Sequence, residues 1–317
     1  MAKVSGMTGN AHSHNLSVAE SSTITRRVTT YSVAVAAILV AIKAFAWGSS
    51  HSVAMLASMA DSGLDLVASL ITFFVVRYAA SPPDAEHRFG HGKAEAFASL
   101  IQGGLVFASA ALVGREAVMA MIHPVTVHPG SLGIFVMIAS IALTGGLITL
   151  QGMALGKTSS VAVAGDRAHY AADLASNVVA LAGIAAFNLT HIARFDSVAG
   201  LVVAAWLIWG AVGVFRQASV ELMDRELPEA ERTKIKTLVT ADGRITSVHN
   251  LRTRASGPVI HIQLHADLDP GITLIAAHEA VVAAEERLLQ AFPAADIIIH
   301  PDPRGAQEHG GAFSETH

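Results

Sequence analysis

Polar and apolar positions follow two regimes along the chain. Up to about residue 217, long apolar runs alternate with short polar breaks; beyond it, apolar residues recur at helix or strand spacing among charges. A membrane-spanning helix needs about 20 mostly apolar residues. Six runs qualify, roughly Val28–Trp47, Val53–Tyr78, Ala94–Met121, Ser131–Leu155, Val161–Leu189 and Ser197–Phe215. The fourth and sixth carry no charge. The first carries Lys43, placed to snorkel toward an interface. Late in the third, Arg115 and Glu116 either pair with each other or sit at the interface. The fifth is charged near its start. In the second regime, "PEAERTKIKTLVTAD" predicts an amphipathic helix, "ITSVHNLRTRAS" and "PVIHIQLHADL" two strands turning at Ser-Gly-Pro, "TLIAAHEAVVAAEERLLQAF" a helix and "ADIIIHPD" a last strand.

The predicted fold is a six-helix membrane bundle followed by a small α/β domain of ferredoxin-like α-β-β-α-β order. The expected divisions are a disordered polar arm over 1–25, the membrane domain over 26–217, a cytosolic metal-binding domain over 218–303 and a disordered tail over 304–317. Composition agrees: 52% of residues are hydrophobic, 15% are charged and the mean hydropathy is +0.49. Soluble domains carry about 25% charged residues. A net charge of −4 argues against nucleic acid as a partner. The absence of cysteine removes thiolate metal sites, disulfides and thiol catalysis. The polar start lacks the apolar stretch of a signal peptide. Lys3, Arg26, Arg27, Arg77, Arg88, Lys93 and Lys157 fall on one side of the predicted spans, and only Arg194 on the other, which puts both termini in the cytoplasm.

The second run holds "MADSGLDLVAS", with Asp61 and Asp65 amid apolar residues. Ionisable groups at that depth are costly and mark function by default. Positions i and i+4 share a helix face, so both aspartates point one way. The fifth run answers with "HYAAD", where His169 and Asp173 have the same spacing. Three carboxylates and one imidazole make an N/O set suited to tetrahedral zinc. The plainer reading, polar groups lining a bundle interior, explains one aspartate better than two matched pairs. In the loop "PPDAEHRFGHGKAE", Asp84, His87 and His91 have metal-ligand spacing, and glycines let the chain wrap tightly; a solvated loop is the plain alternative. In the last domain His249, His265, His278, His300 and Asp302 are dispersed, so spacing says little, although antiparallel strands would bring His249 and His265 together. His261 alternates with Gln263 and His265 on one face of the second strand and reads equally well as a surface residue.

These stretches, together with "DRELPEAER", "VHNLRTRASGP", "IQLH" and "FPAADIIIHPDP", resemble the cation diffusion facilitator family, specifically its bacterial zinc/proton antiporters of the YiiP type, over about residues 24–303. The resemblance implies a homodimer in the bacterial inner membrane that exchanges divalent metal for protons by alternating access. It assigns a transport site to Asp61, Asp65, His169 and Asp173, a loop site to Asp84, His87 and His91, and a binuclear cytosolic site to His249, His265, His278, His300 and Asp302, with Asp302 bridging. It also assigns Lys93 and Asp224 to a charge pair between protomers. Ala168 stands where close relatives carry a leucine thought to help gate the site. Pro301 leaves only a carbonyl where relatives have a polar side chain. No role carries over to His261.

One imidazole among carboxylates favours zinc and cadmium over manganese and leaves iron(II) open. Imidazole is also the natural proton carrier, since its ordinary pKa of about 6.5 lies near working pH. The alternative reading is a membrane-bound metal sensor with little transport. A zinc hydrolase would want H-E-x-x-H, and His278-Glu279 is not followed by the second histidine; the chain is not expected to be an enzyme. A simple pore is the remaining rival.

Overall fold

The computed structural model describes residues 16–51, 53–122, 131–190 and 194–305. The first polar stretch, the connection "HPVTVHPG" and the residues after 305 lie outside the described residues. Six long helices come first: α1 (Val18–Ser50), α2 (Val53–Ala79), α3 (Ala94–Ile122), α4 (Ser131–Leu155), α5 (Val161–Thr190) and α6 (Arg194–Leu222). They are followed by α7 (Glu229–Val239), β1 (Ser247–Ser256), β2 (Val259–Leu268), α8 (Leu274–Ala291) and β3 (Ala295–Pro303). The expected six helices and the α-β-β-α-β order are both present. Among the described residues, five of the long helices are apolar enough to cross a membrane. The sixth, α5, carries Asp166, Arg167, His169 and Asp173. It is the helix on which polar chemistry displaces hydrophobicity.

One boundary differs from expectation. The polar arm anticipated over 1–25 is already helical from Val18. The cause is a capping box at Ser17-Val18-Ala19-Glu20. Ser17 N–H donates to Glu20 Oε2 at 3.0 Å, and Glu20 N–H donates back to Ser17 Oγ at 3.3 Å. These bonds satisfy amide groups that a helix start otherwise leaves open.

Ser22–Gly156 and Ser160–Ser219 form one compact unit. Within it α5 packs against α2, α3 and α4. The approach to α3 is tight because Gly165 has no side chain: a Cβ there would lie 3.1 Å from Ser99 Cα. Val106 and Ala110 of α3, Ala172 of α5, and Leu207 and Ala211 of α6 form a common apolar cluster. The distribution of side chains is the reverse of a water-soluble bundle. Phe45, Phe74, Phe107, Phe135 and Trp209 point outward, while Ser32, Ser69, Thr72, Gln102, Gln151 and Asp166 are buried. Outward apolar side chains are at no disadvantage against lipid tails of similar polarity. The predicted alternatives for Arg115 and Glu116 resolve into a pair, Nη1 to Oε1 at 2.6 Å, on the outer surface of α3.

The second unit contains the chain from Val220 onward. α6 ends where Asp224 takes a left-handed conformation, φ 54°, and Arg225 N–H donates to Val220 O. Aspartate is among the few residues other than glycine that tolerate this region. The three-stranded sheet has the order β1-β2-β3, with β1 antiparallel and β3 parallel to β2. Ile260, Ile262, Leu264, Ala266 and Leu268 alternate along β2 and face Ile235 and Val239 of α7 and Ala280, Ala284 and Leu288 of α8. Each large side chain buried there contributes about 2 kcal/mol. Between His249 and Arg252 the β1–β2 register shifts by one residue, and Asn250 sits at φ 48°. The bulge lets Val248 and Leu251 both serve the core face while His249 stays on the opposite one.

Candidate metal centre

Helix geometry builds the first site. Asp65 on α2 and His169 and Asp173 on α5 place one ligand atom each within 4.8 Å of the others. His169 Nε2 lies 3.0 Å from Asp65 Oδ1 and 3.7 Å from Asp173 Oδ2. The histidine's other ring nitrogen and Asp173 Oδ2 are buried without a hydrogen-bond partner among the described residues. Unsatisfied buried polar atoms are rare in folded proteins and call for an explanation; a cation drawn into the group would supply one. Asp61 stands outside the 4.8 Å group but lines the same cavity of about 170 Å³ as Asp65 and Asp173. It lies one helical turn from Asp65, as the sequence spacing requires.

The second site is a wrapped loop. Asp84, His87 and His91 again bring ligand atoms within 4.8 Å. Asp84 Oδ1 accepts from the backbone N–H groups of His87 and Glu86, at 2.6 and 2.9 Å. The His87 amide holds this carboxyl below its ordinary range; desolvation opposes it, and the Glu86 amide adds to the lowering. Gly90, at φ 80°, turns the chain so that His91 comes back over Asp84, 3.3 Å away. His91 is buried against Tyr78, and its Nδ1 has no hydrogen-bond partner among the described residues.

Strand register builds the third. His249 on β1 pairs with His265 on β2, and His265 pairs with His300 on β3. The three imidazoles form a row across the sheet beside Asp302. Asp302 Oδ2 lies 2.7 Å from His265 Nδ1 and 3.4 Å from His249 Nε2, while Oδ1 lies 3.2 Å from His300 Nε2. One carboxylate thus offers each oxygen to a different imidazole group. His278 is exposed on α8, outside this cluster. His261 is buried rather than on the surface, its Nδ1 2.9 Å from Asp296 Oδ2. Asp224 has the Arg254 guanidinium 3.3 Å away, and Lys93 stands at the entry to α3, its carbonyl accepting from Ala96 N–H.

The geometry stands beside a likeness in sequence. A profile of the cation efflux transmembrane domain matches residues 29–223, and one of the cation efflux protein cytoplasmic domain matches 227–304. The chain belongs to the cation diffusion facilitator family. It is similar to the cation-efflux pump FieF of Pectobacterium carotovorum, 38% identical over 86% of this chain and 91% of that one. The Klebsiella pneumoniae FieF is 36% identical over 85% and 90% of the two chains. A solved structure of the zinc form of CzrB shares 31% identity over 27% of this chain and 99% of that one; its TM-score of 0.25 carries no argument. This diffusion facilitator is therefore an integral membrane protein of a cation-transporting family, not of an enzyme family.

The bundle of the facilitator also holds polar residues that the sequence reading passed over. Lys43 does not snorkel. It is buried on α1, and its Nζ donates to Ser62 Oγ at 2.6 Å and to the Ser58 carbonyl at 3.2 Å. Two turns of α2 offer it acceptors, which outcompetes a reach to the interface. Asp166 is buried where Gln151 Nε2 donates to it at 2.8 Å and Gln102 Nε2 at 3.4 Å. Gln151 also reaches Ser32, and Gln102 reaches Thr72. Tyr170 Oη meets Ser69 Oγ at 2.6 Å. Five helices are tied by this network. Its only signal in the sequence was glutamine within apolar runs, where an amide must find partners. Glu95, buried at the start of α3, meets Ser160 Oγ at 2.5 Å.

Proposed function

We propose that this protein exports a divalent metal, zinc above cadmium or iron(II), in exchange for protons. The observation that carries the reading is the convergence of Asp65, His169 and Asp173 from two helices inside the bundle. Asp61, on the cavity wall, completes the donor set as the ion settles. The metal binds the deprotonated site from the cytoplasm. The bundle then turns the site outward, protons displace the ion, and the protonated site returns. His169 carries a proton because imidazole ordinarily titrates near working pH. Its preference among carboxylates for zinc over manganese follows from ligand softness.

The working form is a homodimer in the bacterial inner membrane with both termini cytoplasmic, an orientation supported by the one-sided Lys and Arg distribution. Lys93 and Asp224 pair between protomers in this arrangement. The cytosolic group of His249, His265, His300 and Asp302 fits zinc as a resident ion by donor type, imidazoles around a carboxylate with both oxygens facing ligands. These residues would hold it, and the ion would add a cross-strand link to the backbone pairing and side-chain contacts that already join β1, β2 and β3. The loop group of Asp84, His87 and His91 is a separate binding station.

Reconstituted uptake into acid-loaded vesicles tests the proposal. Zinc and cadmium should accumulate and collapse the pH gradient, with manganese left behind. Uptake indifferent to the gradient would identify a pore. Tight binding without uptake would identify a sensor.

A further inference from the structure

Lys43 is an ammonium held inside a membrane bundle at the wall of the proposed transport cavity. An intramembrane cation requires a partner, yet its two hydrogen-bond acceptors among the described residues, Ser62 Oγ and the Ser58 carbonyl, are neutral. Asp61, Asp65 and Asp173 line the same cavity. The Lys43 charge acts on both Asp61 and Asp173. Three carboxylates, one ammonium and one divalent cation together carry no net charge, and a low-dielectric interior penalises any other total.

We propose that Lys43 is the fixed counter-cation of the transport site: it never leaves, it offsets one carboxylate, and it weakens the hold on the metal so that the ion is released. The inference rests on the site assignment made above. Ser58 and Ser62 keep the ammonium on the α2 side of the cavity without neutralising it, so its charge remains directed at the carboxylates. A divalent ion then meets an attraction strong enough for capture and limited enough for exchange.

Zinc uptake kinetics of the full-length chain in proteoliposomes separate this role from a structural one by sign. A lysine that merely ties α1 to α2 should loosen the site when removed. A counter-cation should tighten it: in Lys43→Gln both KM and maximal rate fall, KM by about tenfold, because a like charge near the ion is gone and release slows. Lys43→Arg keeps the charge and returns both values toward the parent, while Ser62→Ala removes a hydrogen bond and does not lower KM. An unchanged or raised KM in Lys43→Gln overturns the proposal. Should that variant not reach the membrane, the pair Asp61→Asn and Asp61→Asn/Lys43→Gln decides. The charge-balanced double variant should transport at least threefold faster than Asp61→Asn, and equal or slower transport overturns the proposal. Asp65→Ala in the same preparation reads the underlying site assignment independently. If it still transports, that assignment fails; if it is silent while Lys43→Gln raises KM, the site stands and the counter-cation falls.

Discussion

The bundle site and the sheet site use the same two side-chain types and reach them by different geometry. In the bundle, Asp61 with Asp65 and His169 with Asp173 are set by helical repeat, each pair one turn apart on its own helix. In the sheet, His249, His265 and His300 are set by pairing between strands distant in sequence. The first pattern is one-dimensional and can be seen as spacing. The second exists only once register is fixed, and it depends on a bulge. The environments also differ. Asp65 and His169 are buried inside the helix bundle, whereas the His300 side chain is 63% exposed. Isolated charge is expensive in the first setting and inexpensive in the second. Deleting a ligand should therefore have unequal consequences.

The largest expected contrast is in transport. Asp65→Ala and His169→Ala should each lower zinc uptake by about a hundredfold or more, because each leaves a buried partner unmatched, while His265→Ala should retain uptake within about tenfold. Comparable losses from both sites would erase the distinction between a transport centre and a cytosolic one. Next in size is the sheet core. Ile260→Ala should cost about 3 kcal/mol of cytosolic-domain stability in a denaturant titration and leave the membrane bundle folded. Loss of both would show that the two units fold as one. Zinc should then raise the melting temperature of the cytosolic domain and tighten association of two copies, with chelator reversing both. In His265→Ala/Asp302→Ala the shift should vanish.

The smallest effects test local electrostatics and capping. Asp242 is partly desolvated, which works against ionisation, yet the Arg244 hydrogen bonds and then Arg287 outweigh this and hold its carboxyl below the ordinary range. A lowered carboxyl pKa stabilises the fold above the ordinary value, and that stability is lost as pH falls through the lowered one. Asp242→Asn should cost about 0.5 kcal/mol at neutral pH for so screened a pair, measured by thermal denaturation. The difference from the parent should close in acid below about pH 3.9. A gap that widens in acid would show that the guanidinium contacts are incidental. In the bundle, Ser17→Ala should cost about 1 kcal/mol and fray the first turn of α1, visible as faster amide exchange.

What could be read from the sequence follows from these same geometries. The six helices and the i,i+4 pairs were legible because hydrophobic length and helical repeat are properties of one segment. The α-β-β-α-β order was legible because strands and helices alternate apolar positions differently. Lys43 was misread because its acceptors, Ser58 and the Ser62 hydroxyl, lie on another helix. Asp166 was passed over for the same reason: Gln102 and Gln151 reach it from α3 and α4. The arm boundary differs through a strictly local signal, the capping box at Ser17 and Glu20, which starts the helix before the apolar run begins. His261 went unassigned because strand alternation places it on the non-core face but does not say that the face is covered there.

The bulge at Asn250 gives the gene one codon in β1 that can be lost without changing which way the strand faces. An in-frame deletion of three nucleotides there would leave every ligand, every core residue and the reading frame intact. It would restore strict alternation, with Val248 and Leu251 two positions apart on the core face and His249 still on the opposite one. Length variation in this stretch should thus be confined to the bulge, because losing one residue elsewhere in β1 would turn the side chains on one side of the loss to the other face.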